Sequence, residues 1–240
     1  MPKNRIRIYS VNEAMQRGLL RHDWQLAVAT QERLVQIFEP EWIQNADQYQ
    51  KFLLDSTRII PARKCSVTPI SIDIAQAFCQ HHHLQGRAGN AIIGWGLEYQ
   101  GELQAAMIFG PSRVCDYELT RLCFASNVRI MGGASKLLTA MLRYSGHPSL
   151  VSFSDNRISH GTVYQALDFQ LSHHVLPSYW YWKPGIEGVL NKRSFRHTTG
   201  LRRLPHYDPT ATELVNMEAH GYSRLWDSGL IGWVRKAKYG

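Results

Sequence analysis

The sequence predicts an α/β fold in which a central mixed sheet is flanked by helices, with a helical N-terminal extension and a basic C-terminal extension. Two observations predict it. Between residues 71 and 176 the hydrophobic pattern switches repeatedly between the helical period and the strand period. The length of 240 residues, 44% of them hydrophobic and 19% charged, suits one domain with a substantial appendage and excludes collagen, coiled coil and wholesale disorder.

The N-terminal extension is predicted to be helical, and the core after it to begin with a helix and a hairpin. Residues 11–57 have apolar positions that suit amphipathic helices better than strands, namely Leu26, Val28, Leu34, Ile37 and Phe38. A further helix is predicted from the N-cap Ser71 to near Gly86. Segments 91–99 and 103–110, joined through Gly101, predict a β-hairpin, and a third strand is expected over residues 117–124.

The second half is predicted to alternate helices and strands. The segment RIMGGASKLLTAMLRY predicts a loop and then a helix, because its apolar residues Leu137, Leu138, Met141 and Leu142 share one helical face. A strand over 149–154, a short helix that closes on Phe169 and a further strand, QLSHHVL, follow. In the basic segment, TELVNMEAHGYSRLWDSG predicts a helix stopped by Gly221 and then a short strand. We predict segments 1–60, 61–182 and 183–240 within one domain.

Composition and charge limit the class of protein. No apolar stretch approaches the roughly 20 residues of a membrane helix, and the N-terminus lacks the apolar core of a signal peptide, so we expect no membrane partner and a cytoplasmic location. The four cysteines are too sparse for a disulfide framework. The net charge is +8, and residues 183–240 carry 10 basic against 5 acidic side chains. This balance favours an anionic partner without identifying it.

The loop Arg129–Ser135 joins a strand to a helix and contains two adjacent glycines. Glycine allows close approach of the backbone, and the free N–H groups at a helix start face any phosphate placed there. The loop therefore predicts a pyrophosphate site, and a plain tight turn is the alternative.

The segments from residue 71 to 182 together resemble the core of the GNAT acyltransferase superfamily. The resemblance is carried by the hairpin, the strand YELTRLCF, the R-x-x-G-G-A loop with its helix, and the stretch from Asn156 through Tyr164 to Phe169. The superfamily pattern for the loop is usually Q/R-x-x-G-x-G/A. The resemblance implies a GNAT-like central mixed sheet in which an acyl donor enters the space between two parallel strands that splay apart.

The resemblance also implies residues for the donor. The acyl group would be lined by Leu122, Cys123 and Phe124, and the phosphates would lie around Arg129, Gly132, Gly133 and Ser135. The donor itself stays open between acetyl-CoA and an aminoacyl-tRNA such as glycyl-tRNA, because members of this fold use either class.

A narrower set of motifs is similar to the Mom-like family of phage DNA-modification proteins. The set comprises HLQG (83–86), YELTRLCF, GGASKLL, SFSDNR with YQALDF, and SYWYWKPG (178–185). The resemblance implies conversion of adenine in double-stranded DNA to a carbamoylmethyl derivative at its exocyclic amine, which protects phage DNA from restriction enzymes in the cytoplasm of the bacterial host. An ordinary acetyltransferase and a non-catalytic DNA-binding module are the alternatives.

Transfer to this amine needs a base, because its lone pair is delocalised into the ring. Asp155, at the end of a predicted strand, is our candidate for the base, and Ser154 for a hydrogen-bonding assistant; a helix cap is the alternative for Asp155. Tyr164 matches the position at which many members of the superfamily protonate the leaving thiolate. Strand alternation places Arg121 on the face of Leu119 and Cys123, where we expect an anionic partner.

His83 is the histidine of the HLQG motif and the one we would test. The run His81–His83 does not predict a metal site, because adjacent helical residues are rotated about 100° apart and cannot share one ion. A metal is therefore not favoured, although the sequence leaves its presence open, together with the oligomeric state.

The C-terminal aromatics and cations are candidates for nucleic-acid contacts. Tyr179 and Tyr181 could stack on a base turned out of the duplex, and core packing is the alternative. The cations that we expect on the DNA backbone are Lys183, Lys192, Arg193, Arg196, Arg202 and Arg203. A solvated basic tail is the alternative for this set.

Overall fold

The computed structural model describes residues 5–16, 34–53, 58–159, 161–195 and 200–237. The chain forms two compact units, each assembled from separate segments. We call residues 47–154, 160–174 and 231–240 the sheet unit, and residues 1–46, 155–159 and 175–230 the accessory unit. The predicted segments 1–60, 61–182 and 183–240 stay a prediction.

Both strands and helices occur along the whole described part of the chain. The strands are β1 (Arg5–Tyr9), β2 (Leu34–Phe38), β3 (Arg58–Pro61), β4 (Ser66–Pro69), β5 (Ile93–Tyr99), β6 (Glu102–Pro111), β7 (Tyr117–Phe124), β8 (Val128–Met131), β9 (Leu150–Asp155), β10 (Gln170–Val175), β11 (Tyr179–Trp182), β12 (Leu190–Asn191), β13 (Ser223–Trp226) and β14 (Leu230–Arg235). The helices are α1 (Val11–Gln16), α2 (Glu39–Leu53), α3 (Ile72–His82), α4 (Gly133–Tyr144), α5 (Thr162–Ala166) and α6 (Glu213–Ala219).

The sheet unit is built on a mixed sheet that has seven strands among the described residues, in the order β4-β5-β6-β7-β9-β14-β10. Strands β4 to β7 are antiparallel neighbours, whereas β7 and β9 are parallel. The β5–β6 hairpin turns through Gln100 and Gly101, both in the left-handed region with φ of 55° and 81°. The predicted fold class, a mixed sheet flanked by helices, is confirmed.

Helices cover the two faces of this sheet. Helix α3 begins as predicted, because the Ser71 hydroxyl accepts the N–H of Ile74, and it buries Phe78 and Cys79 against Ile108. Helix α4 buries Leu137 and Met141 against the opposite face, in the larger core. We call these two sides the α3 face and the α4 face.

Strand β7 contains a β-bulge that changes the predicted facing of its side chains. Ile108 pairs with Arg121 and Phe109 pairs with Leu119, so Thr120 is the extra residue. The bulge resets the alternation, and Leu119 packs in the α4-face core while Cys123 packs in the α3-face core. The prediction that Arg121 shares a face with both residues is wrong for Leu119.

The accessory unit contains the parallel pair β1–β2 and the antiparallel sheet β12-β11-β13. The N-terminal region is therefore not purely helical, contrary to prediction. Residues Val35–Phe38 are all buried, and a strand that is buried on both faces lacks the alternation that separates strand from helix. Leu26 and Val28 lie outside the described residues.

Candidate functional site

The parallel strands β7 and β9 pair only at their beginnings. Their register covers Tyr117↔Leu150 and Glu118↔Val151, yet β7 continues to Phe124 and β9 to Asp155. From Leu119 onward, the edge of β7 that faces β9 has no strand pairing within the described residues. We call this opening the β7–β9 gap. Backbone groups along such an opening are available to a ligand that lies between the strands.

A serine side chain holds the point at which the two strands part. Ser152 is fully buried, and its hydroxyl donates to the Leu119 carbonyl at 2.6 Å. Its Oγ also lies 2.9 Å from the Tyr164 Oη. The Tyr164 hydroxyl in turn donates to the Phe153 carbonyl at 3.4 Å. The Tyr164 hydroxyl is thereby fixed at the apex of the β7–β9 gap.

Aromatic packing fixes the ring of Tyr164. The ring is stacked on Trp233, with centroids 5.6 Å apart and planes at 18°, and it meets Phe169 edge-on at 5.6 Å. Trp233 in turn donates from Nε1 to the Ser154 Oγ at 2.9 Å. Ser154 therefore supports the tyrosine indirectly, through the tryptophan on which the tyrosine is stacked.

Burial raises the pKa of Tyr164, the Ser152 hydrogen bond and Arg121 lower it, and the charge of Glu118 raises it. The net direction is upward, so Tyr164 carries its proton at neutral pH. Glu118, which the sequence analysis did not select, occupies the last paired position of β7 and faces the α3 side with Val151. Sequence reasoning could not select Glu118, because its position at the end of the β7–β9 pairing is known only from the tertiary fold.

Arg121 anchors a loop. Its guanidinium donates to the carbonyls of Gly86 at 3.1 Å, Arg87 at 2.9 Å and Thr120 at 2.7 Å. Burial lowers its pKa. Carbonyl oxygens thus supply negative partial charge to a half-buried cation, and the anionic partner expected for Arg121 stays a prediction.

His83 ends helix α3 and is neutral. Its Nδ1 accepts the Gln85 N–H at 3.1 Å, so the ring proton lies on Nε2. Burial, assisted by Arg121, lowers its pKa to about 3. The ring orders the turn that follows the helix, and Nδ1 is not available to take a proton.

The loop before α4 has the features of an anion site. Gly132 is left-handed with φ of 78°, and no side chain caps the helix start. A Cβ at Gly133 would lie 2.9 Å from the Ile130 Cβ and 3.0 Å from the Phe124 ring, so only glycine fits. Arg129 is exposed at this loop and Ser135 lies in the first turn of α4.

The three residues predicted to line the acyl group do not share one face. Leu122 and Phe124 pack against the α4-face core, whereas Cys123 is buried against Cys79 in the α3-face core. A hydrogen bond to Cys79 and burial raise the pKa of Cys123. Cys123 is therefore a packed thiol, a correction to its predicted place beside the donor.

Asp155 holds a buried arginine in the accessory unit. Its carboxylate accepts the Arg157 backbone N–H at 2.9 Å and the Arg157 Nη2 at 3.0 Å. Arg157 also pairs with Glu41 at 3.0 Å, and its side chain is only 4% exposed. Burial lowers the pKa of Arg157, but Asp155 and Glu41 more than offset this and raise it. The helix that follows, α5, has Gly161 as its N-cap, so Asp155 is not the helix cap of the alternative. Its carboxylate instead holds the backbone and the guanidinium of Arg157.

The two tyrosines predicted to stack on a base have different environments in the accessory unit. Tyr181 is fully buried and donates to Glu213 at 2.9 Å, which corrects its assignment to a nucleic-acid surface. Tyr179 is half-buried, with Lys192 at 4.8 Å and Arg224 at 5.3 Å from its ring centroid. Arg224 is a cation that the sequence analysis missed.

The other predicted cations differ in exposure. Lys183 lies over the Tyr222 ring at 4.5 Å. Arg193, Arg202 and Arg203 are exposed, and Arg196 lies outside the described residues.

The described part of the chain contains neither a cluster of metal ligands nor a helix that could span a membrane. No three His, Cys, Asp or Glu side chains in it are placed to hold a metal ion. None of the helices described in it is long and apolar enough to cross a membrane.

Comparison with known proteins gave matches to solved structures only. No protein-family model and no curated protein matches the chain. A GNAT family acetyltransferase from Elizabethkingia anophelis with acetyl-CoA bound is 12% identical, with a TM-score of 0.42 over 72% of this chain and 98% of that one. A Bacillus subtilis acetyltransferase in complex with CoA is 13% identical, with a TM-score of 0.41 over 73% and 100%. Neisseria gonorrhoeae N-acetylglutamate synthase, complexed with coenzyme A and N-acetyl-glutamate, is 14% identical, with a TM-score of 0.39 over 98% and 52%.

Proposed function

We propose that this protein is a transferase that moves an acyl unit to the exocyclic amine of adenine in DNA and so forms a carbamoylmethyl derivative. The observation that carries the acyl-transfer part is the β7–β9 gap, with the protonated Tyr164 hydroxyl fixed at its apex. The DNA adenine part is supported by the sequence resemblance to the Mom-like family and by the cations around Tyr179.

The residues around α4 fit a phosphate-bearing donor. An uncapped helix start behind a left-handed glycine offers N–H groups to an anion, and Gly133 leaves no side chain in the way. Arg129, Gly132, Gly133 and Ser135 would hold the phosphates of an acyl-CoA or of an aminoacyl-tRNA. Either donor, when bound, supplies an activated acyl carbonyl.

Two side chains, one on each face of the sheet, carry out the two proton transfers of the reaction. On the α4 face, Tyr164 holds its proton at Oη and releases it to the leaving group, because burial keeps the phenol neutral. On the α3 face, Glu118 takes the proton that the adenine amine loses as it attacks. Ser152 positions the Tyr164 hydroxyl and does not itself react.

We propose glycyl as the acyl unit, because the product carries a second nitrogen. After transfer, the glycyl amine attacks ring carbon six and the amide nitrogen leaves that carbon. The atoms balance without an added oxidant, and the result is a carbamoylmethylamino group. An acetyl unit lacks this nitrogen. Isotopic glycine label in the modified base would support the glycyl route, and modified but unlabelled base would overturn it.

The test is mass spectrometry of nucleosides from the DNA of cells that express the wild type, Tyr164→Phe or Glu118→Gln. We expect the carbamoylmethyl mass increment on adenosine in the wild type, and at least a 100-fold loss in both variants, since general acids and bases contribute about 10²–10⁴-fold. Tyr144→Phe, which alters an exposed tyrosine on α4, is the matched control and should modify DNA normally. Unmodified DNA from folded wild-type protein would refute the proposal, and acetyl-CoA turnover without DNA would then identify an ordinary acetyltransferase.

A further inference from the structure

Two aromatic rings lie together on the α3 face of the sheet unit. Phe153 of β9 meets His173 of β10 edge-on, with centroids 6.1 Å apart and planes at 78°. Phe153 is 37% exposed although its neighbours Ser152 and Ser154 are buried, and His173 is exposed as well. We call this pair of rings the aromatic corner.

Gly232 makes the aromatic corner possible. Strand β14 runs between β9 and β10, so these two strands are separated by about twice the 4.8 Å strand spacing. The His173 ring crosses that distance by lying over Gly232. A Cβ there would lie 2.5 Å from the His173 Cε1 and 2.8 Å from its Nδ1. The glycine thus lets the imidazole lie against the backbone of β14.

The aromatic corner lies beside the β7–β9 gap, on the side opposite Tyr164. Ser152 and Ser154 point toward Tyr164 and Trp233, so alternation directs Phe153 to the other face. Strand β7 is the neighbour of β9 on the side away from β14. A flat molecule stacked on the face of the Phe153 ring that is turned toward β7 would therefore lie over the β7–β9 gap. It would be on the same side of the sheet as Glu118.

We propose that Phe153, whose ring His173 meets edge-on, stacks the acceptor purine over the β7–β9 gap and selects a planar heterocycle. This inference rests on the proposed function, since it names the subsite of the same reaction. The occupant is a nucleobase turned out of DNA. A base in a duplex exposes neither of its faces, whereas an extruded base gains a stacking surface here. The net charge of +8 complements the polyanion that carries the base.

The test is binding of the full-length protein to a single-stranded oligonucleotide that contains one 2-aminopurine, whose fluorescence is quenched on stacking. We expect Phe153→Leu to weaken binding about tenfold and to remove the quenching, because stacking of one base on an aromatic ring is worth a factor of this order. His173→Ala removes the ring that positions Phe153 and should reduce both the affinity and the quenching. Phe153→Tyr keeps an aromatic ring and should retain both the wild-type affinity and the quenching. Tyr144→Ala, at an exposed aromatic on the other side of the sheet, is the matched control and should bind as the wild type does.

A second oligonucleotide, with an abasic position in place of 2-aminopurine, separates stacking from charge. All variants should bind it equally, because only the base is missing. If Phe153→Leu and His173→Ala leave the quenching unchanged, the inference is overturned, whatever the nucleoside analysis shows. If the quenching depends on both rings but wild-type DNA is unmodified, the aromatic corner stands as a base-binding site and the proposed reaction fails. If one of these two variants does not fold, comparison of the quenching by the other variant with that by Phe153→Tyr tests the inference.

Discussion

Arg157 shows how one buried charge fixes the roles of its neighbours. Its guanidinium is held by Asp155 and Glu41 and lies 4.8 Å above the ring of Phe38. A cation in such surroundings needs both carboxylates, because burial without them would be costly. Asp155 is therefore a structural residue, and we expect its mutation to lower the stability of the folded protein.

Asp155→Ala is expected to lower the free energy of unfolding by about 3–5 kcal/mol, because it leaves the buried Arg157 with a single anionic partner. Urea denaturation followed by circular dichroism measures this change. Asp73→Ala, at an exposed position in the first turn of α3, is the control and should cost less than about 1 kcal/mol. An Asp155→Ala protein as stable as the control would contradict the structural role.

Some residues of the candidate site could be predicted from the sequence and others could not. Tyr164 was found because a fixed spacing from Asn156 carries the resemblance. Ser152 was missed because its role depends on a carbonyl of Leu119, which loses its strand partner only in the folded sheet. The facing of Leu119 was predicted wrongly because a bulge has no signal in strand alternation.

At the scale of elements, local signals decided which predictions succeeded. Helix α3 and the β5–β6 hairpin were predicted because Ser71 and Gly101 mark their boundaries. Strand β14 was missed, since LIGWVR is an apolar run without clear alternation. Strand β8 was predicted as part of a loop, because its pairing with β3 joins segments about 70 residues apart.

The start of helix α4 gives a prediction at this scale. Gly133→Ala is expected to destabilise the protein by about 1–3 kcal/mol, because the new methyl group would overlap Ile130 and the Phe124 ring. Thermal unfolding measures the loss. Gly89→Ala is the matched control, since nothing lies within 4 Å of its added Cβ, and it should leave the transition unchanged or slightly raised. Equal transitions for the two variants would show that the loop before α4 has room for a side chain.

At the scale of the whole molecule, the charge distribution gives a prediction about partners. Five of the eight net positive charges come from residues 183–240, where Arg202 and Arg203 are exposed. If these arginines contact DNA phosphates, replacing both by Gln should reduce the slope of log affinity against log salt by about 2, since each contact contributes about 0.9. Fluorescence anisotropy at several salt concentrations measures the slope.

The matched control for that prediction replaces two exposed arginines of the sheet unit, Arg113 and Arg143, by Gln. This pair removes the same net charge from the molecule. A slope that falls equally in both double variants would show that total charge, and not a defined surface, attracts the DNA.

The place of β14 in the sheet also has a consequence for biosynthesis. The ribosome makes β9 and β10 before the strand that lies between them, because Leu230–Arg235 follows more than 50 residues of the accessory unit. Until then β9 and β10 have open edges, which are prone to pairing with other chains. The sheet therefore closes only after β14 has been synthesised, and nascent chains that are released before that point would expose these edges to aggregation.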